Sequence, residues 1–108
     1  MSEQIATSYQ ILTDVTTTAT GSPIELGASD KTVQAKGTTT AGAGAATIVI
    51  EVTNNTDWPW ITVGTISLTL GTAAVTDGFA ISAGWKAMRA RVSAISGTGA
   101  AVSVNVGV

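Results

Sequence analysis

The chain contains no cysteine and no histidine. Without cysteine there is no disulfide staple and no thiol nucleophile. Without either residue, the usual zinc ligand sets and the Ser/His or Cys/His catalytic pairs have no raw material. No cofactor is expected. Charge is scarce too: Asp, Glu, Lys and Arg make up 11% of the residues, against ~25% in an average soluble domain, and the formal net charge is −2. Five basic residues in an acidic chain are too few for the counterion release that drives nucleic-acid binding, so nucleic acid is not an expected partner. Low charge also means weak repulsion between copies, which favours association with other subunits. No apolar run approaches the ~18 residues of a spanning helix. The first ten residues, MSEQIATSYQ, have neither the basic start nor the apolar stretch of a signal peptide, so synthesis in the cytoplasm and no membrane partner are expected. Aromatic residues are rare as well: three Trp, one Tyr and one Phe among 108 residues. Each therefore weighs heavily in any account of core or binding surface.

What the chain does have is Thr, Ser, Gly, Ala and Val, with 44% hydrophobic residues. The length suits one domain with one core, residues 1–108, in which residues 1–8 are a candidate extended N-terminal arm. Apolar residues recur with a period of two among β-branched neighbours, the pattern of half-buried strands. The C-terminal AVSVNVGV places Val102, Val104, Val106 and Val108 on one face. In MRARVSA, Met88, Ala90, Val92 and Ala94 share a face opposite Arg89 and Arg91, and Gly97-Thr98-Gly99 reads as the turn of a hairpin joining these two strands. Upstream, Ile48, Ile50 and Val52 point one way and Thr47, Val49 and Glu51 the other, while Val33 and Ala35 alternate with Thr32, Gln34 and Lys36.

In WITVGTISLTLGT the parity slips near Gly64: Trp60 and Thr62 share one parity, Ile61 and Val63 the other, and then Ile66, Leu68 and Leu70 carry the apolar set. A glycine bulge or a strand bend there is the expected device. Asp77-Gly78 reads as a tight turn before a short FAIS strand, and residues 36–47, KGTTTAGAGAAT, as a flexible loop. YQILTDVTTTAT and SPIEL read as two strands around Gly21-Ser22-Pro23. About eight short strands with regular turn signals predict an all-β, antiparallel β-sandwich of jelly-roll or related Greek-key type.

Candidate sites are few. Seven carboxylates, Glu3, Asp14, Glu25, Asp30, Glu51, Asp57 and Asp77, include no evident pair across a cleft, as a glycosidase would need. Asp30, Asp57 and Asp77 are expected at turns, where Asp bonds nearby amides. Asn54, Asn55 and Asp57 offer oxygens for calcium, but a structural loop explains them better. An enzyme is not expected. Lys86, Arg89 and Arg91 form a small basic patch with two readings, a solvated outer face or ion pairing with an acidic neighbouring subunit. The tryptophans are the sharper case. Trp58 and Trp60 share a parity, as a sugar-stacking platform would require, yet the chain has few large residues with which to fill a sandwich. Trp60 and Trp85, each heading an apolar strand, are therefore expected in the core with Ile48, Ile50, Val52, Val102, Val104 and Val106. Trp58, held by Pro59 in a loop or at a strand edge, is the candidate presented ring. Trp58, Pro59, Lys86, Arg89 and Arg91 together make up the candidate partner interface.

The runs EVTNNTDWPWITVGTISLTLGT (residues 51–72) and GWKAMRARVSAISGTGAAVSVNVG (residues 84–107), preceded by QAKGTTTAGAGAATIVIEV (residues 34–52), resemble a pattern in small structural proteins of tailed bacteriophages. In that pattern a strand leads through an Asn/Asp loop to a Trp, then come a T.GT..LT strand, a GW-led strand carrying RA.V, and a closing GTGA.V.V segment. The resemblance spans residues 31–108; Pro59 between the tryptophans departs from it, and the first 30 residues fall outside it. These are packing and turn motifs. The resemblance implies a β-sandwich capsid decoration, or cement, protein: a non-enzymatic virion component on the outer capsid surface. Its implied partners are the major capsid protein and copies of itself, as a homodimer or homotrimer. A tail, head-fibre or baseplate module, or a carbohydrate-binding module using Trp58 and Trp60, are the alternatives.

Overall fold

The alternation of β-branched residues becomes nine strands in two antiparallel sheets. The computed structural model describes residues 8–25, 30–81 and 84–107. The strands are β1 (Ser8–Val15), β2 (Ala19–Thr20), β3 (Ile24–Glu25), β4 (Lys31–Thr38), β5 (Ala41–Thr53), β6 (Ile61–Leu70), β7 (Val75–Ile81), β8 (Ala87–Thr98) and β9 (Ala101–Gly107). One sheet runs β1-β9-β4-β7; the other runs β2-β8-β5-β6, with β3 also pairing β8. No helix occurs among the described residues, so none is long and apolar enough to cross a membrane.

β2 and β3 lie along the same neighbour, Ala19 opposite Val92 and Ile24 opposite Met88, so they are two pieces of one edge strand. The Gly21-Ser22-Pro23 interruption falls between them. Proline lacks the N–H a central ladder needs, and an edge tolerates it. Taken as one strand, they complete an eight-stranded jelly roll. The chain is a long hairpin, β1 on β9, β2/β3 on β8, β4 on β7 and β5 on β6, wrapped until β9 meets β4 and β8 meets β5. The tip of that hairpin is the loop of residues 54–60, which carries Trp58 and Trp60. The wrap brings it to the same end of the sandwich as the segment before β8, where the Lys86 amide donates to Asn54 Oδ1.

The core lies between the sheets and is made of medium and small side chains. Ile48, Ile50 and Val52 of β5 and Val102, Val104 and Val106 of β9 are buried there with Val33, Ala35, Ile66, Leu70, Met88 and Val92. Burying one such aliphatic side chain is worth ~1.5–3 kcal/mol. The slip in β6 is real: Ile50 faces Gly64 but Glu51 faces Thr62, leaving Val63 as the extra residue of a bulge. Gly64 has a second reason to be glycine, because a β-carbon there would overlap the ring of Phe79 on the opposite sheet.

Several expectations are corrected. Residues 36–47 are not a flexible loop: β4 runs to Thr38, β5 starts at Ala41, and between them Thr39 N–H donates to Gly71 O (2.8 Å) and Thr40 N–H to Thr98 O (2.9 Å). Small side chains there reflect close backbone approach, since a β-carbon on Gly44 would collide with Ser96 O. Asp77-Gly78 is not a turn but lies inside β7, paired with Ala35 and Gln34. Gly97-Thr98-Gly99 does turn the chain, with positive φ at both glycines, but β8 and β9 belong to different sheets and do not form a hairpin. In β8 the inward parity slips at Ser93, so Ala94 is exposed and Ile95 packs on the core. Of the arm expected over residues 1–8, Ser8 belongs to β1 and the rest lies outside the described residues, as does Val108.

Candidate functional site

At the hairpin tip, turn chemistry takes up the polar side chains. Thr53 Oγ1 donates to Asn55 O (2.7 Å) and accepts from Asn55 N–H (3.1 Å). Asn55 Oδ1 accepts from Asp57 N–H (2.9 Å), and Trp58 N–H closes a turn onto Asn55 O (3.0 Å). The oxygens of Asn54 and Asn55 thus hold backbone, as a structural loop requires, and among the described residues no group of three or more acidic side chains could hold a metal ion.

Trp58 emerges from this loop 67% exposed, with Pro59 also exposed, and Ile61 at the start of β6 is 51% exposed. Pro59 restricts Trp58 to extended backbone. Three consecutive constraints, the turn onto Asn55, the proline and the start of β6, therefore present one aromatic ring at the end of the sandwich.

Trp60 is not a core plug. It is half-buried, it lies outside the cluster between the sheets, and the Arg89 guanidinium sits 4.3 Å from its ring centroid. The bulge explains the placement. Before the slip the inward parity is that of Ile61 and Val63, so Trp60 and Thr62 fall on the outer face, beside Glu51, the partner of Thr62. Trp85, by contrast, is half-buried and packs against the core cluster.

The same outer face holds the charges. Arg89 Nε donates to Glu51 Oε1 at 2.9 Å, and Arg91 Nε lies 3.6 Å from the same oxygen. Glu51 and Arg89 are directly opposite in the β5–β8 ladder, and arginines two residues apart share a face, so one carboxylate meets two guanidinium groups. The Glu51 side chain is 10% exposed and the arginines 25% and 38%. Arg89 and Arg91 thus meet an acid on the adjacent strand of the same chain, a partner that neither reading of the basic patch, a solvated face or an acidic neighbouring subunit, includes. Lys86 is exposed. Val49, expected to point outward into solvent, is 9% exposed because it lies mid-sheet between Thr65 and Arg91.

Sequence reasoning counted Glu51 among scattered carboxylates and missed its role. The available signal was one acid on the outward parity of a long strand and two arginines on the outward parity of another. Lys31 was missed as well: it shares the inward parity of Val33 and is 1% exposed.

On the outer face of the four-stranded sheet, Gln10, Gln34, Lys36, Ser103 and Asn105 line a hollow of 170 Å³. That is below the ~300–1,000 Å³ of ordinary ligand pockets. Gln34 Nε2 spends a donor on Thr76 Oγ1 (3.0 Å).

No protein-family profile matches the sequence, and no curated protein matches it. Among solved structures, the chain is similar to the SPBc2 prophage-derived protein YomS, at 14% identity and a TM-score of 0.62. The match covers 99% of this chain and 97% of that one. The likeness is one of fold, and it extends end to end.

Proposed function

We propose that this chain is a non-enzymatic structural protein of a tailed-bacteriophage particle, a decoration protein that binds the outer face of the assembled capsid. The observation that carries the reading is the fold match to a prophage-derived protein over nearly the full length of both chains. At 14% identity the match is one of fold, and it stands beside the sequence motifs, which are packing motifs. The surface supports the same reading. It is rich in exposed Thr and Ser hydroxyls, and at the loop end it presents the Trp58 ring. A protein that binds only the assembled lattice stabilises it by mass action, and because each shell offers many equivalent sites, modest contacts at each suffice. In this mechanism Trp58 and Pro59 meet the major capsid protein, and Glu51, Arg89 and Arg91 hold the sheet beneath the loop.

Sugar stacking on paired rings is the weaker reading. A platform needs two open faces, and the Arg89 guanidinium occupies a face of Trp60.

The test is to mix the purified protein with emptied, undecorated shells and with purified tails of its particle and to measure co-sedimentation and electron-microscopic occupancy. Saturable occupancy of the shell's outer face, with a raised temperature of shell disruption, is the expected result. Density on the tail alone overturns the decoration assignment, and density on neither overturns the virion reading.

A further inference from the structure

The described strands leave four sheet edges: β1 and β7 in one sheet, β2/β3 and β6 in the other. Three are blunted. β1 carries two register shifts and a left-handed residue, Asp14 at φ 46°, whose N–H is taken by Ser103 Oγ (2.9 Å). β7 caps its own Gly78 N–H with the Asp77 carboxylate (2.8 Å) and exposes that charge. β2/β3 is cut into two-residue pieces around Pro23. Breaks, charge and proline are the devices that keep edges from pairing.

β6 has none of these over most of its length. From Gly64 to Leu70 it pairs with β5 in unbroken register, and its ten residues include no charged residue and no proline. Its outward side chains, Thr65, Ser67 and Thr69, are exposed hydroxyls. At one end stand Trp58, Pro59 and Ile61. At the other, Gly71 has open space where a side chain would be, followed by exposed Thr72, Ala73 and Ala74.

We propose that β6 pairs antiparallel with β6 of a second copy of this chain about a two-fold axis, joining two five-stranded sheets into one. A second copy is the occupant that this edge fits, because an isologous contact asks only that a surface complement itself, and β6 carries no charged residue to oppose its own image. An uncharged edge meets itself without repulsion. Antiparallel pairing then carries the large apolar end of each copy, Trp58 and Ile61, to the small, flat Gly71–Ala74 end of the other. A stable specific interface buries ~1,200–2,000 Å² in total, and two Trp58 rings of this exposure contribute roughly 200–330 Å² of it. The proposal deepens the self-association within the decoration reading and rests on it in that respect alone.

Sedimentation of the wild-type chain is compared with Thr65→Lys/Thr69→Lys, which sets like charges along the paired edge. Because the chain has no cysteine, Ser67→Cys treated with a short bis-maleimide reports on the edge directly, with Thr20→Cys on the opposite edge as control. The expected result is a wild-type dimer, a monomeric lysine variant with the wild-type urea midpoint, and cross-linked dimer from Ser67→Cys only. A monomeric wild type, or a dimer that survives the lysines and does not cross-link through Ser67→Cys, overturns the proposal. Should the lysine variant unfold early, the cysteine pair decides alone. Shell binding is scored separately on the same samples, so failure of the dimer is told apart from failure of the decoration reading.

Discussion

Removing Arg89 should cost more than removing the charge of Glu51, although they are partners in one contact. Arg89→Ala deletes a charge-assisted hydrogen bond to a carboxylate that is 10% exposed. Such bonds are worth ~1.5–3 kcal/mol. The change also removes the cation from the face of Trp60, a contribution of ~0.5–1 kcal/mol at a partly exposed site. Glu51 keeps only Arg91, at 3.6 Å. The expected loss is about 2–4 kcal/mol. Glu51→Gln leaves an oxygen that still accepts from Arg89 Nε, and the two arginines, 25% and 38% exposed, recover solvation from water. The expected loss there is about 1 kcal/mol, toward the value of a neutral hydrogen bond. Urea unfolding monitored by tryptophan fluorescence resolves the difference, since with a slope of ~1–3 kcal/mol per molar the Arg89 variant should shift its midpoint by about 1 M. A double-mutant cycle with Glu51→Ala and Arg89→Ala should return a coupling of about 1–2 kcal/mol. Equal and small effects, with no coupling, would refute the arrangement and leave Glu51 as an ordinary solvated carboxylate.

Trp58→Ala should leave the urea midpoint within ~0.5 kcal/mol of wild type, because the ring is mostly exposed, while weakening shell retention by about 2 kcal/mol or more; a large loss of folding stability contradicts the presented-ring geometry. Trp85→Ala should destabilise, but by less than the ~3–5 kcal/mol of a fully buried aromatic, because Trp85 only flanks the core; an unchanged midpoint removes it from the packing. Gly64→Ala should cost about 1–3 kcal/mol through overlap with Phe79. Combining it with Phe79→Leu should cost less than the sum of the two single changes, and strict additivity refutes the contact.

The parts of this fold legible in the sequence were those set by a single strand and its two faces. Alternation points to β4, to β5 from Ala46 onward, to β8 and to β9, and to most of their buried residues, with Ala94 and Lys31 misassigned, and the parity slip alone points to the irregularity in β6. What alternation cannot carry is the identity of the neighbouring strand. A two-residue connection that crosses between sheets and one that makes a hairpin use the same glycines, which is why Gly97-Thr98-Gly99 reads as a hairpin though it carries the chain from β8 to the other sheet. Residues 36–47 failed for a related reason. Their small side chains read as low complexity, but they are small because backbone segments from three connections meet there, as the bonds of Thr39 to Gly71 and of Thr40 to Thr98 show.

The misplacement of Trp60 follows from a physical point about sandwich thickness. A composition poor in large residues suggested that every Trp is needed to fill the space between sheets. The structure resolves the shortage the other way. A core of Val, Ile, Ala, Leu and one Met fills that space, and the aromatics sit around its margin. Phe79 and Trp85 flank it, Trp60 lies on the outer face under Arg89, and Tyr9 and Trp58 are exposed. Interiors pack near crystal density, so a ring between sheets built to this spacing would have to displace several aliphatic neighbours, at ~1–3 kcal/mol of strain. Aromatic surface displaced to the margin is then available elsewhere. Trp60 is consumed by the Glu51, Arg89 and Arg91 cluster, which leaves Trp58 as the ring that the hairpin tip can present to a partner.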